Sequence, residues 1–125
     1  MGEIRNAKIT KAELTMADYG CLLLWLTVEG NGWGVALGGF VLGKGYLDAK
    51  EFEGYAKGTE EIMRVMDTVG VDEFGDLEGK YVRVEVGRLG DRVTKFGNII
   101  KEKWFDFNEF HKSENTNKKV KHETN

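Results

Sequence analysis

Glu60, Glu61, Asp72, Glu73, Asp76 and Glu78 crowd one short stretch of this 125-residue chain. Neighbouring carboxylates are the raw material of general acid–base catalysis, but they divide the roles only when burial or like-charge coupling separates their pKa values. At a helix start and in a polar loop they read more simply as a match to the helix dipole and a solvated face. Nucleophiles are scarce. The one serine, Ser113, falls in a polar C-terminal run with no scaffold to hold it, which argues against a serine hydrolase. Cys21 opens an apolar run and reads as a small core residue. His111 and His122 both lie near the C-terminus and neither pairs with cysteine at zinc spacing, so both read as solvated tail residues. No catalytic constellation emerges, and no metal or other cofactor is expected.

Charge is divided along the chain. From Asp48 to Glu78 there are ten acids against three bases, and from Gly79 to Lys103 seven bases against three acids. The basic stretch offers Arg83, Arg88, Arg92 and Lys95 to a phosphate backbone, with Trp33 and Tyr81 as exposed aromatics able to stack bases. The acidic stretch offers Glu60, Glu61, Asp72, Glu73, Asp76 and Glu78 to a basic protein surface. The net charge of −3 argues mildly against loose binding of duplex nucleic acid.

Seven of the seventeen glycines fall between Gly30 and Gly45. A phosphate-binding loop needs its glycines between a strand and a helix N-terminus, whereas strand-like residues Trp33 to Leu42 follow the first glycines here. A hairpin turn at Glu29-Gly30-Asn31-Gly32, then a strand bulged at Gly38-Gly39, fits better.

These residues need elements to position them. Ile4 to Thr10 reads as a short strand, and Cys21 to Val28 as a central strand with both faces apolar. Gly43 to Gly58 reads as an irregular connection. Ile62, Val65, Met66 and Val69 mark a helix, with Gly58 or Thr59 at its start and Gly70 ending it. Val71 to Gly79 is an acidic loop that Phe74 and Leu77 pin to the core. Lys80 to Gly87 alternates Val82, Val84 and Val86 inward with Tyr81, Arg83 and Glu85 outward. Leu89-Gly90-Asp91 reads as a turn, and Arg92 to Lys103 as one partner strand bent at Gly97. The expected fold is α+β: a twisted, partly rolled antiparallel sheet of about five strands with one packed α-helix. Residues 1–110 are expected to form one domain, and the polar residues 111–125 a disordered tail.

Several segments carry a resemblance. They are Ile4-Arg5-Asn6-Ala7-Lys8-Ile9, Gly34 with Gly38-Gly39-Phe40, Val69-Gly70-Val71, Leu77-Glu78-Gly79-Lys80-Tyr81-Val82-Arg83-Val84 and Gly97-Asn98-Ile99-Ile100-Lys101-Glu102-Lys103-Trp104-Phe105. Together they resemble a widespread family of small phage and prophage proteins, mostly uncharacterised. That family has Gly-x-Gly-Phe-Gly-Gly-Tyr where this chain has Gly32-Trp33-Gly34-Val35-Ala36-Leu37-Gly38-Gly39-Phe40. The Leu-x-Gly-Lys-x-Val-x-Val run at Leu77 to Val84, preceded by a helix, is also similar to phage single-stranded-DNA-binding proteins of the OB-fold type.

The resemblance implies a phage or mobile-element origin and, with one cysteine and no signal pattern, a place in the host cytoplasm. The leading expectation is a non-enzymatic counter-defence inhibitor, of the anti-CRISPR type, that binds a host defence protein. The alternative is a single-stranded nucleic-acid-binding accessory protein with an OB-like fold. No membrane partner is expected, and a sheet edge at the glycine-rich strand is a candidate homodimer contact.

Overall fold

Strand β1 (Glu3–Ala17) pairs on both sides, with β2 (Cys21–Gly30) and with β5 (Tyr81–Val86). The computed structural model describes residues 2–17, 20–46, 51–87 and 92–112. On one side of β1 the chain meanders through β2, β3 (Trp33–Tyr46) and β4 (Glu51–Gly54). Helix α1 (Ala56–Val69) and a 3₁₀ turn (Phe74–Leu77) carry it back. β5, β6 (Lys95–Asn98) and β7 (Trp104–Asp106) then extend the other side. Every pair is antiparallel, in the order β4-β3-β2-β1-β5-β6-β7. The sheet is mixed with helices in an α+β fold and is not closed into a barrel; residues 107–112 are also helical.

One face of the sheet carries the core. Ala7 and Ile9 of β1, Leu24, Leu26 and Val28 of β2, Leu37 of β3, Val82 and Val84 of β5 and Phe96 of β6 are buried there. Each full burial of such an aliphatic or aromatic side chain contributes about 1.5–3 kcal/mol. Val65 of α1, Leu77 of the 3₁₀ turn, Val93, Phe105 and Phe107 complete the cluster.

Seven strands replace the expected five, for local reasons. β1 continues past Thr10 because a register shift between Ile9 and Lys11 interrupts its alternation without ending its pairing to β2. The supposed irregular connection 43–58 contains the end of β3, all of β4 and the first residues of α1. β4 has four exposed residues and therefore shows no periodic burial. The segment 92–103 is two elements. β6 ends at Asn98, whose Oδ1 accepts from the amides of Ile100 (2.9 Å) and Lys101 (2.8 Å) and so closes a turn into β7. The turn expected at Leu89-Gly90-Asp91 lies outside the described residues.

The glycine-rich strand behaves as the bulged strand expected of it. Gly38 and Gly39 have φ of 106° and 84°, and the pairing slips between Leu23 and Trp25. The Trp25 indole lies against Gly39, where a β-carbon would come within 2.4 Å of it. β3 is not the outermost strand, however. β4 pairs with its last four residues, Gly43 to Tyr46, and not with Trp33 to Leu42.

α1 begins earlier than its expected caps, with Tyr55 at the N-cap, and ends at Gly70 in the left-handed conformation as expected. Its fully buried positions are Gly58, Glu61, Val65 and Thr68, while Ile62, Met66 and Val69 are only partly buried. The buried stripe is thus shifted by about one residue from the apolar one. Gly58 is not a cap but the point of closest approach, its ideal β-carbon lying 2.4 Å from the Leu42 carbonyl oxygen and 2.6 Å from Leu42 Cα. That carbonyl also accepts from the Tyr55 amide at 3.0 Å. Alanine is intrinsically the better helix former. Gly58→Ala is nevertheless expected to lower unfolding stability by about 1–3 kcal/mol, because backbone must give way to the added methyl; urea denaturation measures this.

Candidate functional site

The least anticipated feature is a buried hydrogen-bonded pair. Glu61 on α1 is fully buried, and its Oε1 makes a short hydrogen bond with His111 Nε2. Its Oε2 has no hydrogen-bond partner among the described residues. The His111 ring stacks on Phe40 at 4.2 Å between centroids and 10° between planes, and Phe110 meets it edge-on at 5.2 Å. Lys57 Nζ sits 4.1 Å over the Phe110 ring. This overturns two expectations. His111 is not a solvated tail residue but a buried one in a helical segment, and Glu61 is not available to an acidic face. The missed signal is spacing: Phe107, Phe110 and His111 stand at i, i+3 and i+4 and form one helical face. Residues 113–125, including Ser113 and His122, lie outside the described residues.

The basic candidates are distributed and largely engaged. Arg83 is 20% exposed at its side chain. Its Nε donates to the Asn98 carbonyl at 2.7 Å, its Nη2 to the Lys101 carbonyl at 2.8 Å and to Glu102 at 3.2 Å, and its guanidinium lies 4.7 Å over Trp104. It therefore ties β5 to the turn that follows β6. Arg92 donates to the carbonyl of Gly38, at the β3 bulge (3.2 Å). Lys95 pairs with Glu85 at 3.5 Å and also approaches Trp104. Arg88 lies outside the described residues. Trp33 packs half-buried against the core, its indole over Gly30. Tyr81, 58% exposed, is open to solvent beside Lys8 on β1.

Two of the remaining acids are also engaged. Glu60 forms an i,i+4 pair with Arg64 at 2.6 Å, and that hydrogen bond holds its carboxyl below the usual range. Glu78 accepts from the Ala12 amide at 3.2 Å, just past the point where β1 loses β5 as a neighbour. Asp72, Glu73 and Asp76 differ. All three are exposed, around a 3₁₀ turn anchored by fully buried Leu77 and half-buried Phe74. The Asp76 amide donates to the Glu73 carbonyl (3.0 Å) and the Lys80 amide to the Leu77 carbonyl (3.2 Å), so three carboxylates ride on a short hydrogen-bonded frame.

Cys21 is half-buried rather than a full core residue. Among the described residues no group of three His, Cys, Asp or Glu side chains is placed to hold a metal ion, and no helix is long and apolar enough to cross a membrane. No protein-family model, curated protein or solved structure matches the chain.

Burial raises the Glu61 carboxyl above its ordinary 4.5, opposed in part by the hydrogen bond and charge of His111. A carboxyl with a raised folded pKa binds protons more tightly in the folded state. Its contribution to stability is therefore full below about 4.5 and is lost as pH rises through the folded pKa. Glu61→Gln keeps a hydrogen-bonding group and removes this titration. The urea midpoint of the native protein, taken relative to that of Glu61→Gln, should fall as pH is raised from 4.5 towards neutrality.

Proposed function

We propose that the chain is a non-enzymatic binding protein that docks its acidic 3₁₀ turn onto the basic surface of another protein. A counter-defence inhibitor occupying the nucleic-acid groove of a host effector, of the anti-CRISPR type, is the class that uses this chemistry. One observation carries the reading. Arg83, Arg92 and Lys95 are committed to partners within the fold, whereas Asp72, Glu73 and Asp76 are exposed on a pinned turn. Charges held on an ordered frame lose less freedom on binding than charges on a loose loop, and a negative cluster steers a positive partner.

A second reading keeps one observation in its favour. Tyr81 and Lys8 stand side by side on the exposed face, at an open cleft of about 380 Å³ that Asn6, Thr10 and Asn31 also line. An aromatic beside a cation is the minimal platform for one base of a single strand.

The test uses a purified RNA-guided effector of the host and a labelled single-stranded oligonucleotide. The protein should prevent the effector from retaining nucleic acid. Asp72→Lys with Asp76→Lys should weaken that inhibition by about tenfold or more, equivalent to about 1.4 kcal/mol, while Tyr81→Ala leaves it intact. Direct, saturable and salt-sensitive binding of the oligonucleotide, lost in Tyr81→Ala, would instead establish the second reading.

A further inference from the structure

We propose that the cleft beside Tyr81 binds a ribonucleotide unit and selects it over its deoxy counterpart, with Glu29 accepting hydrogen bonds from the sugar hydroxyls and Lys8 meeting the phosphate. The proposal rests on the second reading above, that this face takes single-stranded nucleic acid, and names which nucleic acid. The acidic turn has no part in it.

The cleft exists because the two pairings of β1 stop at different places. With β5 the pairing runs from Glu3 to Lys8, whereas with β2 it starts only at Lys8, opposite Glu29. Past that pair β2 runs into its turn, and a space of about 380 Å³ opens beside Asn6, Ala7, Gly30 and Asn31. The register shift between Ile9 and Lys11 falls at the other end of this space, at Thr10. Bulges of this kind re-aim side chains. Here the Thr10 hydroxyl donates to Glu29 Oε2 at 3.1 Å and steadies that carboxylate.

Tyr81, Lys8 and Glu29 are direct cross-strand neighbours on β5, β1 and β2. All three are exposed. Adjacent strands lie about 4.8 Å apart, so the row spans about 10 Å, room for the base and sugar of one nucleotide.

The order of chemistries along the row selects the occupant. Tyr81 offers a face on which a base stacks. Lys8 offers donors to an anion, and Glu29 offers acceptors alone, about four sites of which Thr10 fills one. A phosphate with no hydroxyl beside it is opposed by Glu29 as much as it is drawn by Lys8. A ribonucleotide satisfies both, because its phosphate meets the ammonium and its hydroxyls donate to the carboxylate. Carboxylates recognise the ribose 2′-hydroxyl in dinucleotide sites by the same bond, and that hydroxyl is what separates RNA from DNA. Neighbouring cations add little, since Lys11 pairs with Glu13 at 3.2 Å and Arg83 is held by the Asn98 carbonyl. Discrimination therefore falls on the sugar of one unit, free or within a strand.

The probes are a short fluorescein-labelled oligoriboadenylate and its deoxy counterpart of equal length, each titrated with the full chain and followed by anisotropy. The ribo strand should bind saturably and about tenfold more tightly than the deoxy strand. Glu29→Met should bring the ribo strand down to the affinity of the deoxy strand and leave deoxy binding no weaker. Lys8→Met and Tyr81→Ala should weaken both strands alike. These positions are exposed, and unchanged circular dichroism checks that each variant folds. Displacement of the ribo strand by AMP, more readily than by dAMP, would assign the site to a free nucleotide. A ribose preference that Glu29→Met removes, without competition by AMP, would assign it to a unit within an RNA strand. Equal affinity for the two strands, a preference that survives Glu29→Met, or indifference to Lys8→Met overturns the proposal. Equal binding of both strands that Tyr81→Ala abolishes overturns it while the second reading stands, and binding of neither strand overturns both.

Discussion

The close approach of α1 to β3 is the constraint on which the rest of this fold depends. A helix normally stands off a sheet by the length of its side chains. Here Gly58 has none, and the helix backbone comes within contact of Leu42. One helical turn further on, that proximity leaves Glu61 nowhere to go but inward. The Gly38–Gly39 bulge in the same strand precedes Phe40, whose ring lies under His111. Glycines with two different roles, one a missing side chain and the other a positive φ, thus bring together the three elements that carry Glu61, Phe40 and His111. The C-terminal helical residues are held to the domain by that meeting point and by the Phe105–Phe107–Phe110 contacts.

Polar groups displaced by the irregularities of the sheet engage three of the charged side chains. The Gly38 carbonyl at the β3 bulge takes Arg92, the Ala12 amide beyond β5 takes Glu78, and the carbonyls around the β6–β7 turn take Arg83. Buried or half-buried backbone groups cost about 1–3 kcal/mol when left unpaired, so long charged side chains that reach them are structural first. The proposed interaction surfaces are what this internal demand leaves over: three carboxylates on a 3₁₀ turn, and a polar cleft where β2 parts from β1.

Much of the scaffold is legible in the order of the residues alone. β2 announces itself by a short apolar run, β5 by alternation, Gly70 by its place after the last apolar helix residue, and the Gly38–Gly39 bulge by two adjacent glycines within a strand. β4 is not legible, because four exposed residues carry no burial pattern. Nor is the split between β6 and β7, because the element that makes it is a side-chain oxygen of Asn98 binding two amides. On the site, half of the acidic candidates change character once placed: Glu60 is tied to Arg64, Glu78 to a backbone amide and Glu61 lies inside the core.

The class of fold, the strand pattern at its centre, one clear helix and the division of charge along the chain can be read from the order of the residues. All of these follow from periodicity and composition, which are local properties. Which charges are engaged within the fold emerges only from contacts between distant parts of the chain. Whether a carboxylate or a guanidinium is a ligand, a cap or a core group depends on what lies within hydrogen-bond reach, and those partners are distant in the chain: Ala12 and Glu78, Gly38 and Arg92, Glu61 and His111. The same holds for the cleft. Lys8, Glu29 and Tyr81 lie far apart in the chain, and they acquire a common meaning only where the pairing of three strands sets them in one row and β2 parts from β1 beside them.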